Sequence, residues 1–71
     1  MNRIIIYPSA MIEEVYQHIR ANNLKVQMSD LKQLFGEANT HYALIKLQKA
    51  NRVRRVRTWH RGIVYVYKIL E

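Results

Sequence analysis

At 71 residues the chain has room for one domain, 1–71, and its core is marginal, because a chain this short buries only about 60% of its unfolded surface. It has no cysteine, which excludes disulfide staples and thiolate zinc sites and fits a reducing compartment. The net charge is +7, and residues 1–38 contribute none of it: four Lys/Arg there meet four Asp/Glu, whereas residues 39–71 carry eight Lys/Arg against Glu71 alone. Such a cluster repels itself and points to a polyanionic partner, nucleic acid above all, over a merely solubilising face.

Taken in chain order, Arg3–Tyr7 is β-branched and aromatic, closed by Pro8, and predicts a short strand. It is too short for the apolar region of a secretory leader, and no apolar run in the chain nears the roughly 20 residues that cross a bilayer. Its three successive isoleucines cannot all face one small core, so a sheet of its own chain or a second copy must cover it. Ser9 then reads as an N-cap, with Glu13 and Glu14 early in a first helix where the macrodipole favours acids. Ile12, Val15, Tyr16 and Ile19 repeat at helical spacing as the buried stripe, and Asn22 and Asn23 mark the stop. Leu24–Met28 alternates and predicts a small strand or an extended link. Ser29 is a second N-cap candidate, followed by Asp30 and by a stripe of Leu31, Leu34 and Phe35. Gly36 suits the C-cap, and Glu37, Ala38 and Asn39 form a tight turn before a third helix of about Thr40–Ala50.

On that third helix Thr40, Ala43, Leu44 and Leu47 share one side, and His41, Tyr42, Ile45, Lys46 and Lys49 the other. Asn51 tolerates the left-handed conformation that ends many helices. Arg52, Arg54, Arg55 and Arg57 then alternate with Val53 and Val56, which is strand spacing. A three-residue loop, His60–Gly62 with Gly62 at positive φ, pairs Trp59 with Ile63, Arg57 with Tyr65, Arg55 with Tyr67 and Val53 with Ile69. The face of Val56, Val64 and Val66 is assigned to the core. Val53 also reads as buried, and a one-residue bulge would reconcile the two.

These residues resemble the winged helix-turn-helix domains of small prokaryotic and phage transcription regulators. The likeness covers residues 9–69: Leu31, Lys32, Gln33, Leu34, Phe35 and Gly36 match the second helix, and Leu44, Leu47, Asn51 and Val53 match the spacing from third helix to wing. The family usually has glycine where this chain has Asn51, and the strand Arg3–Tyr7 is an addition to its minimal pattern. The resemblance implies an α+β fold of three helices, a C-terminal β-hairpin wing and that extra N-terminal strand. It implies a cytoplasmic regulator, in a prokaryotic cell or phage-infected host, that binds double-stranded DNA.

No pair among His18, His41 and His60 has metal-ligand spacing, Glu13 and Glu14 point to different sides of a helix, and neither glycine, Gly36 or Gly62, belongs to a phosphate loop; no enzyme, metal or cofactor is expected. Asn39, Thr40, His41 and Tyr42 are placed near bases or phosphates, with Lys46 and Lys49 on phosphates; Ile45 on the same face is expected either to touch a thymine methyl or to be covered by the wing or a partner. Arg52, Arg54, Arg55, Arg57 and Arg61 are placed along the wing, Arg61 at its tip as winged-helix arginines are when they enter a minor groove. Trp59 is expected to pack on Ile63. The edge of Arg3–Tyr7 invites a second copy, so a homodimer is expected. Two alternatives stand beside the sequence-specific regulator: an excisionase-like architectural factor that bends DNA, and a protein-interaction module that docks an acidic partner through its basic face; RNA is a less favoured partner, because no ribonucleoprotein motif is present.

Overall fold

The computed structural model describes residues 8–59 and 61–70, and the fold is α+β: three helices followed by a two-stranded antiparallel hairpin. Helix α1 runs Pro8–Ala21, α2 Met28–Phe35 and α3 Glu37–Lys49; strands β1 and β2 run Val53–Trp59 and Ile63–Ile69. The strand expected at Arg3–Tyr7, and the dimer built on it, lie outside the described residues, as does His60.

Helix α1 begins one residue before the expected cap. Pro8 occupies its first position, where a fixed φ suits the helix and a missing N–H costs nothing, so Ser9 lies inside the first turn. Met11, Val15, Tyr16 and Ile19 are buried, with Ile12 packed partly against them. The helix stops as expected at Asn22, whose amide Nδ2 donates to the His18 carbonyl at 3.0 Å.

The segment after α1 is a turn, not a strand. Leu24 adopts φ 65°, a left-handed backbone uncommon for leucine. That conformation brings the turn against the outer edge of β2: Leu24 N–H donates to the Tyr67 carbonyl at 3.0 Å, and Ile69 N–H donates to Asn23 Oδ1 at 2.9 Å. Two otherwise open groups of an edge strand are thereby satisfied.

Helix α2 is capped at Gln27 rather than Ser29, and the Asp30 carboxylate accepts the Gln27 N–H at 2.9 Å. Its buried arc is Met28, Leu31 and Phe35, at i, i+3 and i+7. Leu31 is fully buried, while Leu34 lies about 90° around the wheel from the centre of that arc and is 60% exposed, contrary to the expected stripe.

The expected turn of Glu37, Ala38 and Asn39 is the first turn of α3. Gly36 alone separates the two helices, with φ 89° and ψ 158°. Its N–H closes α2 on the Lys32 carbonyl at 2.9 Å, and its own carbonyl accepts the Thr40 N–H at 3.0 Å to open α3. Only glycine reaches that backbone region without strain, which is why a single residue can reverse the chain here. Asn39 Nδ2 donates to the Phe35 carbonyl at 2.9 Å and satisfies one more open end of α2.

The end of α3 conforms to expectation. Asn51 has φ 57°, its N–H reaches the Gln48 carbonyl at 3.0 Å, and Arg52 N–H reaches the Leu47 carbonyl at 2.9 Å. These are the two bonds of a Schellman closure. Val53 therefore enters β1 directed inward. The hairpin register is the expected one throughout, from Val53–Ile69 to Trp59–Ile63, with no bulge.

The core face of the hairpin is not the expected one. Val53 and Tyr67 are buried in the main cluster and Ile69 packs on it, all on the same face by the period of two. Val66 is buried on the opposite face, outside that cluster, between the half-buried Val56 and Val64. The core joins the Val53 face to Val15, Tyr16, Ile19, Leu31, Ala43, Leu44 and Leu47.

Candidate nucleic-acid interface

Helix α3 buries Thr40, Ala43, Leu44 and Leu47, which fixes its rotation and turns His41, Tyr42, Ile45, Lys46 and Lys49 outward. Tyr42 and Ile45 are about half exposed, at 42% and 51%. Lys46 arches over the Tyr42 ring, its Nζ 5.5 Å from the centroid, so phenol and ammonium form one unit on the helix surface. Lys49 stands in the last turn of the helix, where the macrodipole favours a cation.

Two residues expected on this face are otherwise engaged. Thr40 is fully buried and its Oγ1 has no hydrogen-bond partner among the described residues, so it cannot meet DNA from where it stands. Helical spacing already puts it on the Leu44 side. Asn39 is exposed, but its amide is tied to the Phe35 carbonyl.

On the hairpin Arg54, Arg55, Arg57 and Arg61 are all exposed. Alternation sends Arg55 and Arg57 to the face that buries Val53, where both are exposed, and sends Arg54 with its partner Lys68 to the other. Arg55 lies over the Tyr65 ring, its guanidinium carbon 4.6 Å from the centroid, a diagonal contact across the strands. At the tip Arg61 takes the left-handed conformation, φ 57°, and Gly62 follows at φ 135°, so two residues, not Gly62 alone, turn the loop. Trp59 faces Ile63 in the register, yet the two remain 76% and 58% exposed; the expected packing leaves most of the indole bare.

Arg52 is drawn into the fold instead. Its Nη1 meets Glu13 Oε1 at 3.2 Å, and its guanidinium carbon lies 3.8 Å from the Tyr16 ring centroid. The hydrogen bond from Arg52, followed by that from the Gln17 amide, holds the Glu13 carboxyl below its ordinary pKa; the same pairing raises that of Arg52. No spacing signal in the sequence marks this contact, since it joins residues 39 apart.

Of the remaining acids, Glu14 is on α1, Asp30 on α2 and Glu37 in the first turn of α3. Glu37 pairs with Lys32 at 3.7 Å, and from residue 39 to residue 70 the chain carries no Asp or Glu. The cations of α3 and the hairpin therefore create a field that no neighbour in sequence offsets. Among the described residues no three His, Asp or Glu side chains gather as metal ligands, and no helix is long and apolar enough to cross a membrane. Comparison with protein-family models, with curated proteins and with solved structures finds no match.

Proposed function

We propose that this chain is a winged helix-turn-helix DNA-binding domain that acts as a transcription regulator, with the outer face of α3 in a major groove and the hairpin as the wing on adjacent backbone. One observation carries the reading: a helix face of Tyr42, Lys46 and Lys49 and a hairpin bearing Arg54, Arg55, Arg57 and Arg61 set exposed cations on a packed support, with no acid in the sequence from residue 39 to residue 70. A helix and a β-ribbon are the two shapes that a major groove admits. In this reading His41, Tyr42 and Ile45 meet base edges, Ile45 suits a thymine methyl, and the lysines and arginines meet phosphates. Arg52 and Thr40 are left out of the contact set. Two copies joined through residues 3–7 would read a two-fold site.

Selection of bound duplexes from a random pool tests the proposal. A recurrent palindromic motif supports the regulator with its dimer. Direct repeats with bending and filament growth favour the architectural variant. Weak binding with no recurrent motif overturns sequence-specific regulation. A second reading, docking of an acidic protein, draws on the exposure of Tyr42, Ile45, Trp59 and Tyr65, since Tyr, Trp and Arg dominate protein hot spots. It expects weak retention on duplex DNA without sequence preference.

A further inference from the structure

The outer half of the hairpin has two unequal faces. Arg55, Arg57, Trp59, Ile63 and Tyr65 share the face that nearer the helices carries Val53 and Tyr67. At the base this face is buried. At the tip it is bare, with Trp59, Ile63 and Tyr65 exposed at 76%, 58% and 45%. Arg57, Thr58, Trp59 and Ile63 line an open recess there. Arg61 stands at the adjoining turn.

A bare indole among arginines is poorly used against intact duplex, which offers side chains the edges of its bases and its phosphates but keeps the ring faces stacked. An unpaired base offers the face. Single strands are held by aromatic platforms set within a cationic track, and arginine planes stack on rings in the same way. On this face the Arg55 guanidinium already lies over the Tyr65 ring, 4.6 Å from its centroid. The four hairpin arginines with no acid beside them in sequence complement phosphate, and every nucleotide of an unpaired strand offers a phosphate and a ring face together, which favours it over an acidic protein, whose carboxylates and apolar side chains have no such fixed pairing.

We propose that the hairpin tip is a stacking platform for unpaired DNA bases, centred on Trp59 with Tyr65 behind it, so that the domain engages a single-stranded or opened segment beside the duplex held by α3. The proposal rests on the DNA-binding reading above and extends it from duplex to strand junctions.

Trp59 is the sole tryptophan of the chain, so its intrinsic fluorescence reports this platform alone. The intact chain is titrated with oligothymidine, with blunt duplex of random sequence, with the same duplex bearing a thymidine tail, and with polyglutamate. Oligothymidine and the tailed duplex are expected to quench the emission by about half or more; blunt duplex and polyglutamate leave most of it. Trp59→Ala weakens oligothymidine binding by about tenfold and Trp59→Phe restores most of it, while binding of blunt duplex, followed by anisotropy of a labelled strand, changes less than about twofold. Blunt duplex that binds and quenches as fully as the tailed one overturns the proposal but leaves duplex recognition standing. So does an unchanged oligothymidine affinity in Trp59→Ala, and so does equal quenching by polyglutamate. Binding of oligothymidine without binding of blunt duplex has the opposite consequence: the platform stands and duplex recognition falls.

Discussion

The guanidinium of Arg52 is clamped between Glu13, at 3.2 Å, and the ring of Tyr16, at 3.8 Å from its centroid. It ties the residue that joins α3 to β1 back onto α1, and the same residue's carbonyl accepts the Leu70 N–H at 2.9 Å beside the hairpin base. Arg52→Ala is therefore expected to lower thermal stability, with the cation–π contact worth on the order of 0.5–1 kcal/mol at such a site. The slope of DNA affinity against salt should not change. The folded state favours the Glu13 carboxylate, so its contribution is present above the ordinary value of 4.5 and is lost as pH falls through the depressed folded one. The gap between the unfolding midpoints of parent and Arg52→Ala should therefore narrow in acid, to the part that the Tyr16 contact keeps. A salt slope reduced by one unit would return Arg52 to the interface.

Tyr67 is 1% exposed and its hydroxyl has no hydrogen-bond partner among the described residues. A buried hydroxyl without a partner costs stability, so Tyr67→Phe is expected to be neutral or to stabilise by up to about 1 kcal/mol in chemical denaturation. Burial also pushes the phenol's pKa above 10, with Arg55 opposing. The folded state then holds the proton more tightly than the unfolded chain. That stability is intact below pH 10 and erodes as pH rises from there through the folded value. The difference between parent and Tyr67→Phe should shift in favour of the phenylalanine variant over that range. A loss of about 2 kcal/mol or more in the variant at neutral pH would show that the hydroxyl has a partner.

The sequence makes the helices, the hairpin register and the rotation of α3 readable because each rests on local periodicity: Leu44 and Leu47 fix one face of a helix, and loop length fixes the pairing of Trp59 with Ile63. It conceals what depends on where elements end against one another. Val53 and Val56 are equally apolar, and the closure at Asn51, which aims the chain as it enters β1, decides that Val53 joins the core. Leu34 fails as a core residue because Met28, outside the expected helix, completes the arc with Leu31 and Phe35. In the candidate site, the outward set on α3 follows from the same wheel. The removal of Arg52 does not, since ion pairing between distant residues has no spacing signature.

Gly36 supports two helices from one backbone conformation, and a Cβ built on it meets nothing within 4 Å. Gly36→Ala therefore isolates the backbone term, expected at about 1–3 kcal/mol for a residue forced into φ 89° and ψ 158°. Asn51→Gly is the contrast: φ is 57°, glycine adopts it freely, and stability should hold within a few tenths of a kcal/mol. Equal effects of the two substitutions in urea unfolding would contradict the assignment of strain to Gly36.

Leu47 is 1% exposed at the meeting of the helices and the hairpin, and Leu47→Ala is expected to cost about 2–5 kcal/mol. In a domain of this size that approaches the whole stability, so near-ultraviolet dichroism at about 25 °C should show a large unfolded fraction. A melting temperature within a few degrees of the parent would show that the cluster repacks around the gap.

Lys46 and Lys49 provide the direct test of the helix face. Both are exposed cations on α3, and neither has an ion-pair partner among the described residues. Their loss should leave the fold intact, unlike that of Leu47. Each neutralised phosphate contributes close to one released counterion, so Lys46→Ala and Lys49→Ala should each reduce the slope of log affinity against log salt by about one unit. The loss should be similar on cognate and random duplex, because phosphates carry no sequence. Lys46 also covers the Tyr42 ring, 5.5 Å from its centroid, so a base contact by the phenol needs a test of its own. Tyr42→Phe separates the two roles: it keeps the ring under Lys46 and deletes the hydroxyl, so the salt slope should stay at the parent value while discrimination between cognate and random duplex falls. If Lys46→Ala and Lys49→Ala both bind random duplex with the parent's salt slope, the outer face of α3 does not meet the backbone, and the hairpin alone carries the contact.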